Sequence, residues 1–110
     1  MQINVNDINL FYTCQGVGEP LIMLHGNGED HTIFDEAVDV LSKYFRVYAI
    51  DTRDHGQSDK VEELHYDDMA EDIRLFIETL QLENPILYGF SDGGIIGLIL
   101  ASKYPNLLSK

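Results

Sequence analysis

From residue 20 onward the apolar positions alternate between two rhythms. Leu21-Ile22-Met23-Leu24 is an unbroken apolar run, the signature of a strand covered on both faces. Phe34, Ala37, Val38 and Leu41 then repeat at i, i+3, i+4 and i+7, one face of a helix, with Thr32 as its expected cap and Asp35 three residues on. Phe45-Arg46-Val47-Tyr48-Ala49-Ile50 reads as the next strand, closed by a polar loop from Asp51 to Asp59. Met69, Ile73, Phe76, Ile77 and Leu80 mark a second amphipathic helix. Asp67 and Asp68 occupy its first turn, where the helix dipole favours anions. Pro85-Ile86-Leu87-Tyr88 is another strand of the buried type, and Ile95 to Ala101 is apolar all round, a helix expected to be covered from several sides.

This alternation implies an α/β fold: a mostly parallel sheet with helices on both faces. Upstream, Gln2 to Asn6 and Leu10 to Cys14 are expected to pair as a hairpin around Asp7-Ile8-Asn9, followed by a turn from Gly16 to Pro20. No repeat, low-complexity tract or linker divides the chain, so residues 1–110 form one domain.

Composition narrows the class further. A chain of 110 residues folds to a surface of roughly 6,200 Å² and hides about two-thirds of its unfolded area. With 45% hydrophobic residues it is no disordered chain, and no run is long enough to span a bilayer. The N-terminus has no basic-then-apolar signal pattern, and the single Cys14 cannot form an internal disulfide. Both fit a cytoplasmic setting. Nineteen acids against seven bases give a net charge of −12, which excludes nucleic acid and anionic membrane as partners. The acidity otherwise reads as a solubility device.

Three segments carry chemistry. Gly89-Phe90-Ser91-Asp92-Gly93 is a G-x-S-x-G between a strand and a helix. A nucleophile at so sharp a turn needs minimal neighbours two residues away on either side, and Gly89 and Gly93 supply that room. The turn lifts the Ser91 hydroxyl above the sheet edge at a helix N-terminus, where backbone N–H groups can stabilise a developing oxyanion. His25-Gly26-Asn27-Gly28 follows the first buried strand. In a parallel sheet its backbone shares a crevice with Ser91; the His25 imidazole is expected to be structural. The third segment, Asp51 to Asp59, holds three carboxylates and His55. Its spacing fits no calcium loop, and it reads as a hydrogen-bonded loop at a strand end with no metal. Gly16-x-Gly18 precedes a strand instead of opening a helix, so it is no dinucleotide fingerprint, and no cofactor is expected.

In these three segments, and in their order, the chain resembles the N-terminal half of the α/β-hydrolase family. The resemblance implies a serine hydrolase of the esterase type acting on small acyl substrates. Ser91 would be the nucleophile, and the backbone N–H groups of Asn27 and Asp92 the oxyanion hole. Asp54 stands where the family often has glycine. A serine at the elbow argues against the dehalogenases and epoxide hydrolases that the family builds with aspartate there.

The family places its triad acid and histidine downstream of the serine. Here 19 residues follow Ser91, with Asp92 as their one acid and no histidine. The expectation is a truncated chain, inactive alone because nothing activates the hydroxyl. The outer edge of the strand Pro85–Tyr88 is expected to be unpaired, inviting self-association or a partner segment. The alternative is a non-catalytic association or ligand-binding module built on the same sheet.

Overall fold

A computed structural model describes all 110 residues. Five strands form one mixed sheet in the order β1-β2-β4-β3-β5. β1 (Gln2–Val5) and β2 (Ile8–Gln15) are antiparallel, as are β2 and β4 (Phe45–Ile50), whereas β3 (Glu19–Leu24) runs parallel to both β4 and β5 (Ile86–Gly89). The expected alternation after residue 20 therefore corresponds to the parallel half, β4-β3-β5. The hairpin is tighter than the sequence suggested. Val5 pairs with Ile8 across a two-residue turn in which Asn6 and Asp7 both have positive φ, the primed geometry that suits strand twist.

Helices cover both faces. On one, α2 (Tyr66–Thr79) and α3 (Asp92–Lys103) pack Met69, Ile73, Phe76, Ile96 and Leu100 against Ile22, Leu24 and Ile50 of the sheet. On the other, Phe34 and Val38 meet Leu21, Met23, Val47 and Ala49. The start of this second helical segment differs from expectation. Asp30, not Thr32, is the cap: its carboxylate accepts the Thr32 N–H at 2.9 Å above a 3₁₀ turn, His31–Phe34, which leads into α1 (Asp35–Leu41). A side chain two residues nearer the strand reaches the free N–H groups at the start of the 3₁₀ turn.

The outer edge of β5 is also less bare than expected. Ser109 donates its N–H to the Pro85 carbonyl and Leu87 donates to the Lys110 carbonyl, each at 3.0 Å. The rest of that flank stays apolar and open. Met23, Phe34, Leu41, Ile86, Tyr88 and Phe90 help line a groove of about 670 Å³ beside α1, and Leu98 of α3 is 73% exposed. The accessible surface is 5944 Å², close to the size-scaling value. No helix is long and apolar enough to cross a membrane.

Candidate active site

The parallel register brings Leu24 opposite Gly89, so β3 and β5 end together. Phe90 donates its N–H to the Leu24 carbonyl at 3.0 Å, fastening the turn after β5 to the end of β3. Ser91 then takes φ 57° and ψ −113° and opens α3, a conformation that glycine prefers and other residues hold only under constraint. The constraint is visible in its neighbours. A β-carbon on Gly89 would stand 2.3 Å from the Gly93 carbonyl oxygen, and one on Gly93 would stand 2.3 Å from the Leu24 carbonyl oxygen. Both positions admit hydrogen only.

The loop after β3 arrives at the same place. The point where a β-carbon on Gly26 would stand lies 3.1 Å from Ser91 Cβ and 2.7 Å from Glu29 Oε1. Within this loop three backbone donors are taken. Gly26 donates to Glu29 Oε1 at 2.8 Å, Gly28 to His55 Nε2 at 3.0 Å, and Glu29 to the Gly26 carbonyl at 3.2 Å. At the elbow, Gly93 donates to Phe90, and Gly94 and Ile95 to Ser91. The N–H groups of Asn27 and Asp92 bond to nothing else in the chain, as do those of His25, Asp30 and Ser91. The Asp92 side chain is held separately, accepting the Tyr66 hydroxyl at 2.9 Å; this bond holds the phenol above its usual pKa. Sequence reading missed both Glu29 and Tyr66, since neither belongs to a motif.

None of the four histidines hydrogen-bonds to Ser91. His25 is buried, its Nε2 accepting the Thr52 N–H and its Nδ1 facing the Gly26 carbonyl. Burial pushes it below its ordinary pKa of 6.5, so it is the structural histidine the sequence suggested. His55 Nε2 holds Gly28, His31 Nδ1 lies 2.8 Å from Asp51 Oδ1, and exposed His65 lies beside Glu63.

The Asp51–Asp59 segment is the hydrogen-bonded loop expected of it. Buried Asp51 accepts the His31 N–H at 2.7 Å and the Gln57 N–H at 2.9 Å, and its carbonyl accepts the Ser58 hydroxyl. Asp54 has φ 69°, a left-handed geometry that accounts for glycine being at home there. Arg53, also buried, forks onto Asp72 of α2 through Nε at 2.6 Å and Nη2 at 2.8 Å. Asp30, His31 and Asp51 bring possible metal-ligating atoms within 4.8 Å of one another, but the carboxylates are engaged with Thr32, His31 and Gln57.

A strained serine turn at the end of a parallel strand thus meets a glycine-rich loop from the neighbouring strand, and the alpha/beta hydrolase fold model matches residues 19–110. The chain belongs to the α/β-hydrolase family. The AB hydrolase superfamily protein YisY of Bacillus subtilis is 45% identical over 93 residues, which cover 83% of this chain and 35% of that protein. Among solved structures, an epoxide hydrolase from Bacillus megaterium superposes with a TM-score of 0.92 at 34% identity, over 98% of this chain and 39% of its own. A marine microorganism esterase gives 0.89 at 36% identity, over 92% and 39%. This α/β-hydrolase chain thus spans well under half the length of these relatives.

Proposed function

We propose that the chain carries the nucleophile and the oxyanion donors of a serine hydrolase acting on small esters or related acyl substrates. Ser91 Oγ attacks the acyl carbonyl, and the N–H groups of Asn27 and Asp92 receive the charge that develops on its oxygen. The observation that carries this reading is that the loops after β3 and β5 meet at Ser91, with the N–H groups of Asn27 and Asp92 unengaged within the chain. Removing one such donor costs on the order of 10²–10³ in rate. The strained serine supports the same reading, because strain of this kind persists where function holds it.

Activation of Ser91 then depends on a carboxylate–histidine pair outside these 110 residues, since His25 and His55 already use both ring nitrogens. Alone the chain gives trace turnover at most. The test is p-nitrophenyl butyrate hydrolysis, with mass-spectrometric mapping of a neutral fluorophosphonate label, on the chain with and without the downstream half of the fold. Labelling at Ser91 and turnover that both require that half support the proposal. Full activity after Ser91→Ala in the restored enzyme overturns it. A cytoplasmic setting with a free Cys14 belongs to the same reading.

The apolar groove beside β5 favours a second reading, a non-catalytic module that associates through this flank. It expects no turnover and a dimer or complex in solution. A chain that sediments as a monomer and binds no partner counts against it.

A further inference from the structure

We propose that Glu29 sets the charge selectivity of the Ser91 site, admitting uncharged acyl groups and turning away those with a carboxylate near the scissile bond. The inference rests on Ser91 being the nucleophile. Glu29 is half-buried, and its Oε1 accepts the Gly26 N–H at 2.8 Å. That oxygen and Ser91 Cβ flank the same point over Gly26, at 2.7 and 3.1 Å. A carboxylate is therefore fixed beside the nucleophile by a bond to the loop that carries Asn27. Asp92 follows Ser91 directly, its side chain tied to Tyr66.

Within these 110 residues no basic side chain is both unpaired and at this end of the sheet. Of the seven basic side chains, Arg53 is committed to Asp72 and Asp68, Arg74 to Glu71 and Glu78, and Lys103 to Asp67. Lys60 binds the carbonyls of Asp54 and Gly56. Lys43 and Arg46 precede or open β4, and Lys110 pairs near the start of β5, all at the far ends of the parallel strands. A substrate carboxylate about 7 Å from Glu29, at the effective dielectric of a protein surface, is disfavoured by roughly fiftyfold.

The test uses the protein with the downstream half of its fold present. kcat/KM is measured for p-nitrophenyl butyrate and for the mono-p-nitrophenyl ester of glutaric acid, at about 0.05 and 0.5 M salt. Glu29→Gln keeps an acceptor for the Gly26 N–H but removes the charge. The expected result is an anionic-to-neutral rate ratio at least about tenfold higher in E29Q, and a wild-type ratio that rises with salt more than the variant's does. A ratio within about twofold of wild type overturns the proposal. If E29Q does not fold, the wild-type salt response decides alone, and a ratio indifferent to salt overturns it. Absence of both turnover and Ser91 labelling overturns the nucleophile assignment, and this inference with it, whereas labelling without charge preference removes only the inference.

Discussion

Thr52 donates its backbone N–H to Nε2 of His25 at 3.1 Å, while Nδ1 of the same ring lies 2.7 Å from the Gly26 carbonyl. The ring is thus an acceptor on one side and a donor on the other, which fixes it as the neutral Nδ1–H tautomer. It joins the loop after β4 to the loop that reaches Ser91.

This arrangement makes stability depend on pH in a stated direction. Burial holds folded His25 below 6.5, so the unfolded chain binds the proton first as pH falls. The stabilisation is complete above about 6.5 and declines below it until folded His25 is itself protonated. Urea denaturation at a series of pH values should show a shallower acid-side decline in His25→Gln than in wild type. Equal slopes contradict the assignment.

Ser91 should be stabilised by losing its side chain. Its φ of 57° with ψ −113° carries strain of about 1–3 kcal/mol that glycine escapes. Ser91→Gly is expected to raise the melting temperature by several degrees and abolish fluorophosphonate labelling. Ser91→Ala should abolish labelling without the thermal gain. Calorimetry on the three proteins distinguishes them.

Gly93 and Gly28 should respond differently to alanine. At Gly93 the new methyl meets the Leu24 carbonyl at 2.3 Å, whereas at Gly28 it meets nothing within 4 Å. Gly93→Ala must push α3 off the end of β3, at a cost of about 3 kcal/mol or more. Gly28→Ala incurs only its φ of +79°, about 1–2 kcal/mol. Chemical denaturation reads both, and a Gly93→Ala protein as stable as Gly28→Ala refutes the contact.

The Arg53–Asp72 fork should show strong coupling. Asp72→Ala strands a buried guanidinium and is expected to cost about 3–5 kcal/mol. The double change Arg53→Met, Asp72→Leu should recover most of that loss, since two apolar groups fill the space without an unpaired charge. A double-mutant cycle by denaturant unfolding measures it; additive losses exclude the coupling.

The order of strands and helices from Leu21 onward was legible because strands covered by helices leave short apolar runs and the helices a period of 3.6, and the elbow because Gly89 and Gly93 are demanded by contacts of 2.3 Å. Contacts between segments far apart in sequence were not legible. Nothing local marks Tyr66 as the partner of Asp92, 26 residues away, or Asp72 as the partner of Arg53. The cap was misplaced because Asp30 and Thr32 are both good caps and only the 3₁₀ turn decides between them. The covered part of the β5 edge escaped notice for a similar reason: Ser109 and Lys110 pair through backbone atoms, which leave no side-chain signature.

The Asp51 carboxylate gathers backbone from two loops, at His31 and at Gln57, while its own carbonyl binds the Ser58 hydroxyl that accepts the Phe11 N–H of β2. Residues 25–31 and 51–58 are consequently one interlocked unit, and a change of length in either strips bonds from the other. Glu62 to His65 lies outside this clamp, exposed, between the Val61 N–H bound to Asp54 and the start of α2. New sequence inserted there would enter beside Tyr66, whose hydroxyl already rests on Asp92. The crevice can therefore be remodelled by insertion at one seam while the parts that hold Ser91 keep their length.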